Sequence, residues 1–265
     1  MISPEMIILC LAALAAGFVD AIVGGGGLIQ TPATLITLPD HSVATLLGTT
    51  KIPSLSGTGS AAIQYARRVN LQWKLLGVLC LIALVAAYAG SKTVSIVSNS
   101  FMKPVIFGVL IIVAVYTYTK KDFGTANTAR KTPVQEFIFG GVFALILGFY
   151  DGFIGPGAGS FLVLFFISFL GFDFLKASAH AKFVNVATNT GSILFFAGSG
   201  HILYHYAIPM AFCNFFGSLI GARLAILKGN KFIRIFFLLV VAGQKALRIL
   251  VCSKRSKTME FQLIT

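Results

Sequence analysis

Gly17-Phe18-Val19-Asp20-Ala21-Ile22-Val23-Gly24-Gly25-Gly26-Gly27 returns later in the same chain as Gly148-Phe149-Tyr150-Asp151-Gly152-Phe153-Ile154-Gly155-Pro156-Gly157-Ala158. Each copy sets one Asp and a glycine cluster inside an apolar run. The offset, 131 residues from Asp20 to Asp151, persists without a gap. It pairs Lys51 with Lys182, Ala66 with Ala197, Gly90 with Gly221, Lys92 with Arg223 and Phe101 with Phe232. Self-similarity of this length is read first, because it makes the fold two copies of one plan.

Composition gives the solvent. Of 265 residues, 57% are hydrophobic and 11% charged, against about 25% charged in a soluble domain. A water-soluble protein of this size cannot hide that much apolar surface. The expected class is an all-α, polytopic integral membrane protein. The net charge of +13 does not indicate nucleic acid. Arg67, Arg68, Lys74, Lys92, Lys120, Lys121, Arg130, Lys131, Arg223 and Lys228 fall at the ends of apolar segments, where headgroups and membrane orientation place them. The four cysteines lack metal or redox spacing and read as small hydrophobes. The N-terminus does not read as a signal peptide, since Glu5 stands where a basic region would.

Ile7 to Leu38 is apolar except for Asp20, Gln30 and the glycines. One helix over 32 residues would be roughly 48 Å long, too long for a single crossing of about 30 Å. Four successive glycines cost a helix about 1 kcal/mol each. The first helix is therefore expected to end near Gly24, with a shorter piece over about 28–38. Pro156 makes the second break stronger by removing a backbone donor. Val43–Ala66 and Ala177–Ala197 are semi-polar spans suited to a bundle interior. Trp73–Gly90, Phe101–Thr119, Ile202–Ala222 and Phe232–Val251 complete the plan, with Trp73 as an interfacial anchor. The expected organisation is a first transmembrane repeat over 1–119, a polar linker over 120–135, a second repeat over 136–252 and a basic tail over 253–265. If each short piece re-enters and leaves on its own side, the repeats are inverted. If it completes a crossing, they are parallel. Both alternate loop sets carry Lys and Arg, so counting charges leaves both open.

Asp20 and Asp151 lead the candidate site, as carboxylates inside apolar runs. They can couple protons or gate, or they can cap the helix fragment after each break. Lys51 and Lys182 lie too deep to snorkel. Each ammonium needs an anion, either an Asp or a substrate. A helix beginning inside the membrane turns free N–H groups inward, an arrangement that binds anions. This brings in Gly26 and Gly157, and broken helices at matching positions of two repeats mark a transporter site. Lys182, Asn185 and Asn189 share a helical face, as do Lys51, Ser54 and Thr58. Their polar groups can bind an oxyanion or can join helices. No cofactor or metal set is expected, and His201 and His205 are too isolated for one.

These residues carry a resemblance. Gly17 to Gly27 followed by Thr31-Pro32, Gly48-Thr49-Thr50-Lys51 and their second-half counterparts resemble the TauE/SafE sulfite exporter family. Gly148 to Gly159, with Ala179-His180-Ala181-Lys182 and Asn185 to Asn189, is similar to its YfcA-like branch. The resemblance spans about residues 5–250. It implies a multi-pass protein of the bacterial inner membrane that moves sulfite, sulfonates or related sulfur-containing organic anions, without carrying over a particular substrate. The basic ending from Ser253 departs from it. The expected function is secondary transport, by export through alternating access of the repeats, with an anion channel or uniporter without proton coupling as the alternative. No HExxH, GxSxG or Cys–His pair supports an enzyme. The expected partners are a small anion and the bilayer, and a homo-oligomer is compatible with this reading.

Overall fold

The computed structural model describes residues 3–102, 104–106, 108–109 and 132–262. Side chains are described to residue 236, apart from 133, 231, 234 and 235. The expected fourth span is thus covered only in part, and residues 120–131 of the linker and 263–265 of the tail lie outside the described residues.

The long elements are all helical: α1 (Pro4–Val23), α2 (Gly27–Thr37), α3 (Val43–Ala66), α4 (Trp73–Ile96), α5 (Pro133–Phe153), α6 (Ala158–Ser168), α7 (Phe174–Gly198) and α8 (Tyr204–Gln262), the last broken at Gly229. No strand occurs among the described residues. Side-chain caps fix several starts. Ser3 accepts from the Met6 amide, Ser42 from Thr45 and Asp173 from Lys176, and Thr132 with Gln135 forms a capping box. The breaks fall where the glycines predict. Gly24 and Gly25 have φ of 70° and 114°, and Gly155 and Gly157 have φ of 91° and 87°. An L side chain rarely adopts such angles, so α1 and α5 stop there.

Among the described residues, four helices are long and apolar enough to cross a membrane: Pro4–Val23, Trp73–Ile96, Val134–Phe153 and Tyr204–Asn230. Their outer faces expose Leu11, Leu81, Val85, Ile146, Phe212 and Ile220, which suits lipid. The chain is a multi-pass membrane protein. α3 and α7 are semi-polar and bury Thr49, Lys51, Thr58, Lys182, Asn185 and Thr188.

Contacts fix the helix directions. α8 runs parallel to α1, with Gly217 against Leu14 and Gly221 against Phe18. It also runs parallel to α3: the Leu203 amide donates to Thr49, Ser56 donates to the Ala211 carbonyl and Gln64 to the Leu219 carbonyl. α4 runs parallel to α7, as Gln72 meets His180 and Tyr88 meets Phe195. It runs parallel to α5 as well, with Ala83 against Gly148 and Ala87 against Gly152. A short turn reverses the chain between α3 and α4. α1, α3 and α8 therefore run one way and α4, α5 and α7 the other, and each helix opposes its counterpart 131 residues away.

α2 doubles back along α1. Gly26 touches Ala16 and Asp20, and Leu35 and Leu38 rejoin Leu9 and Ala13 in one apolar cluster. α6 doubles back in the same manner: Phe165 stacks on Phe143 of α5, with centroids 4.2 Å apart. The glycine contacts repeat at the offset. A Cβ on Gly221 would strike the Phe18 carbonyl, and one on Gly90 would strike the Phe149 carbonyl. Small residues let these backbones touch.

Candidate functional site

Both glycine breaks lie at the centre, against each other. Gly24 packs on Gly159, Gly27 packs on Pro156, and the Ser160 hydroxyl donates to the Gly24 carbonyl at 2.6 Å. The tip of each hairpin is therefore fastened to the tip of the other.

Two ion pairs flank this junction, and each joins the two halves. Lys51 on α3 donates to the Asp151 carbonyl at 2.6 Å and to its Oδ1 at 3.1 Å. Lys182 on α7 donates to the Asp20 carbonyl and, at 2.9 Å, to its Oδ2. The second pair is the first with every residue moved by the offset. Both ammoniums sit where the α1 and α5 helices end, and a helix C-terminus attracts a cation.

Asp20 holds more partners. Its Oδ1 accepts from the Gly25 and Gly26 amides at 3.2 and 3.4 Å, and its Oδ2 accepts from Thr58 at 3.1 Å. It thus caps the turn after α1 and forms an ion pair at once. Asp151 accepts on Oδ1 from Lys51, and among the described residues its side chain has no other donor.

A cavity of about 50 Å³ opens between the pairs, room for a small ion or one or two waters. Asp20, Asp151, Lys51, Ser54, Thr58, Asn185, Asn189 and Gly157 line it. Lys182 and Gly26 do not: Lys182 is fully enclosed against Asp20, and the Gly26 amide is used by the same carboxylate. The shared face expected for Lys182, Asn185 and Asn189 thus splits, since the long lysine chain reaches away while both asparagines face the cavity. The face of Lys51, Ser54 and Thr58 stays together. Gly27, Gly157 and Gly159 also bear on the cavity, and their amides have no acceptor among the described residues. They are the open first turns of α2 and α6.

Sequence reasoning missed Thr31 and Thr50, which complete the polar wall, and the bridge behind it. Asn214 of α8 donates to Gln30 Oε1 at 3.0 Å, and Gln30 Nε2 donates to the Thr50 carbonyl at 3.2 Å. Gln30 and Asn214 are lone amides in apolar runs, a signal of interhelical bonding that was there to use. His180 is structural: its Nε2 accepts from the Gln72 amide, so Nδ1 carries the hydrogen donated to the Lys176 carbonyl. His201 lies in the loop before α8, bonded to Ser199.

The chemistry is that of a charge-balanced polar cell. Two cations and two anions cancel, and what remains is a set of donors: three amides, hydroxyls and the Asn185 side chain, which makes no hydrogen bond among the described residues. Such a set suits an oxygen-bearing anion once one lysine is freed.

Residues 9–244 match the family described as Sulfite exporter TauE/SafE. The chain is 37% identical over 243 residues to a probable membrane transporter protein, ORF9, of Sinorhizobium sp., covering 91% of each chain. It is 34% identical over 253 residues to the probable membrane transporter protein YfcA of Escherichia coli K12, covering 93% of this chain and 90% of that one. A probable membrane transporter protein of Haemophilus influenzae is 36% identical over 219 residues. No solved structure matches.

Proposed function

Because this chain belongs to the sulfite exporter TauE/SafE family, we propose that it is a secondary transporter of small oxyanions, with sulfite, sulfonates and related sulfur-containing anions as its substrates. The observation that carries this reading is the pair of reciprocal Lys–Asp bridges around one polar cavity. The α1–α2 and α5–α6 hairpins enter from opposite faces as re-entrant elements of two inverted repeats. Their half-helix N-termini meet at the substrate, which is how transporters place a midplane site.

Lys51 attracts the anion. At rest Asp151 occupies it. Protonation of Asp151 releases the ammonium, and the anion takes the place of the carboxylate, with Asn185, Asn189, Ser54 and the open amides of Gly157 and Gly159 as donors. Asp20 and Thr58 hold the opposite wall, with Lys182 enclosed behind Asp20. A proton and a monoanion thus enter together, which leaves the cell neutral in a medium where bare charge is costly. Net direction follows the summed anion and proton gradients, so a cell that accumulates the anion exports it. Rocking of one half against the other exposes the cell to each side in turn. The relatives are bacterial membrane proteins, and the bacterial inner membrane is the location this reading assigns.

The test is sulfite flux in proteoliposomes, wild type beside Lys51→Gln, with and without a pH gradient. Flux that requires Lys51 and follows the gradient supports the reading. Lysine-dependent flux indifferent to the gradient replaces it with a uniporter or channel. Absence of flux from inserted wild-type protein removes sulfite as a substrate.

A further inference from the structure

A second cavity lies far from the central cell, at the end of the bundle where α3 stops and α7 begins. It has a volume of about 750 Å³. Arg67, Arg68 and Arg223 stand around it, and Leu175, Leu219 and Ile226 line its apolar part. All three arginines are exposed. Among the described residues no carboxylate pairs with them, since both ion pairs lie at the centre. The walls are fixed. Gln64 donates to the Leu219 carbonyl at 3.4 Å and ties α3 to α8, and the Leu175 amide donates to Asn230 at 2.7 Å and ties α7 to α8. The one acid near this end of α7, Asp173, spends Oδ1 on the Lys176 amide.

The helix directions say which leaflet this is. At this end of the bundle are Arg67, Arg68, Lys74, Lys176, Arg223 and Lys228, against Glu136 and Asp173. Among the described residues the opposite end carries Glu5 and Asp40 with Lys92. Such an excess of basic residues faces the cytoplasm, where the leaflet is anionic. Arginine suits phosphate because its planar fork donates in pairs.

We propose that the cavity bounded by Arg67, Arg68, Arg223 and the leucines of α7 and α8 is a binding site for an anionic phospholipid of the cytoplasmic leaflet. The guanidiniums take the headgroup phosphate, and Leu175, Leu219 and Ile226 take the start of the acyl chains. The site does not depend on the transport reading.

The experiment is native mass spectrometry of delipidated full-length protein titrated with phosphatidylglycerol or phosphatidylcholine of matched chains. Phosphatidylglycerol is expected to bind the wild type about tenfold or more tightly than phosphatidylcholine, a preference lost in Arg67→Gln/Arg68→Gln/Arg223→Gln. Lysine at the same three positions keeps the charge and is expected to retain most of the preference, which guards against misreading a misfolded glutamine variant. Equal binding of the two lipids by the wild type overturns the site. So does competition by inorganic phosphate at the lipid's own concentration, because it would mean the acyl chains play no part.

Discussion

The two ion pairs are built from the same residue types and differ in what surrounds the carboxylate. Asp20 is held by Lys182, Thr58 and two glycine amides, and Asp151 by Lys51 alone among the described residues. Burial does not separate them, since the Asp20 side chain is the more exposed at 17% against 9%. Partners do, and two substitutions at the offset account for two of the three missing donors, while Gly157, at the place of Gly26, keeps its N–H without giving it to Asp151. Pro156 stands where the first half has Gly25 and offers no N–H. Asn189 stands where the first half has Thr58, and it gives its amide to the Asn185 carbonyl instead, at 2.9 Å. The same pair of residue types thus appears once held by four partners and once by Lys51 alone among the described residues.

The largest expected effect breaks the pinned pair. Asp20→Asn leaves the Lys182 ammonium enclosed without a counter-charge, a loss of about 3–5 kcal/mol for a buried pair broken on one side. Its thermal unfolding in detergent should fall well below that of Asp151→Asn, whose lysine borders the polar cavity while Lys182 does not. Equal losses would erase the distinction. Next come the helix contacts, where the halves should behave alike. Gly90→Ala and Gly221→Ala each drive a methyl into a carbonyl, and each should cost about 1–3 kcal/mol. Unequal midpoints would show that the packing is not equivalent.

Transport separates the pairs next. Asp151→Asn should insert normally, lose sulfite flux by about tenfold or more, a change of about 1.4 kcal/mol, and lose its response to a pH gradient. The smallest effect sharpens the comparison most. Pro156→Gly with Asn189→Thr gives Asp151 the surroundings of Asp20. Added hydrogen bonds to a carboxylate should raise stability by about 1 kcal/mol, and flux should drop several-fold as Lys51 becomes harder to release. Unchanged flux would separate the carboxylate's donors from its function.

Much of this was legible from residue order. The glycine clusters place the ends of α1 and the start of α2 within a residue of Val23 and Gly27, because φ beyond an L residue's reach is a local property. The semi-polar character of α3 and α7 also predicts their burial, and the cavity takes the face of Lys51, Ser54 and Thr58. What stayed hidden was long-range. Nothing local says that Lys51 meets Asp151 and not Asp20, because periodicity gives each helix a face but not a neighbour. Nor could spacing show that Lys182 leaves its face for a carbonyl, since a four-carbon stem reaches well past its own turn. The direction of α2 also required the contact of Gly26 with Ala16.

The packing of α1 on α8 has a consequence for how the protein is made. Gly217 and Gly221 meet Leu14 and Phe18, partners synthesised about 200 residues apart. At about 5–20 residues per second, α1 waits roughly 10–40 s in lipid before its neighbour leaves the ribosome. Its Asp20 waits for Lys182, 162 residues later, about 8–32 s at the same rate. Nascent chains stalled before residue 204 should therefore expose α1 to membrane proteases, whereas chains stalled far enough past residue 230 for α8 to have left the ribosome should not. Protection of the shorter chains would mean that α1 finds a temporary partner during synthesis.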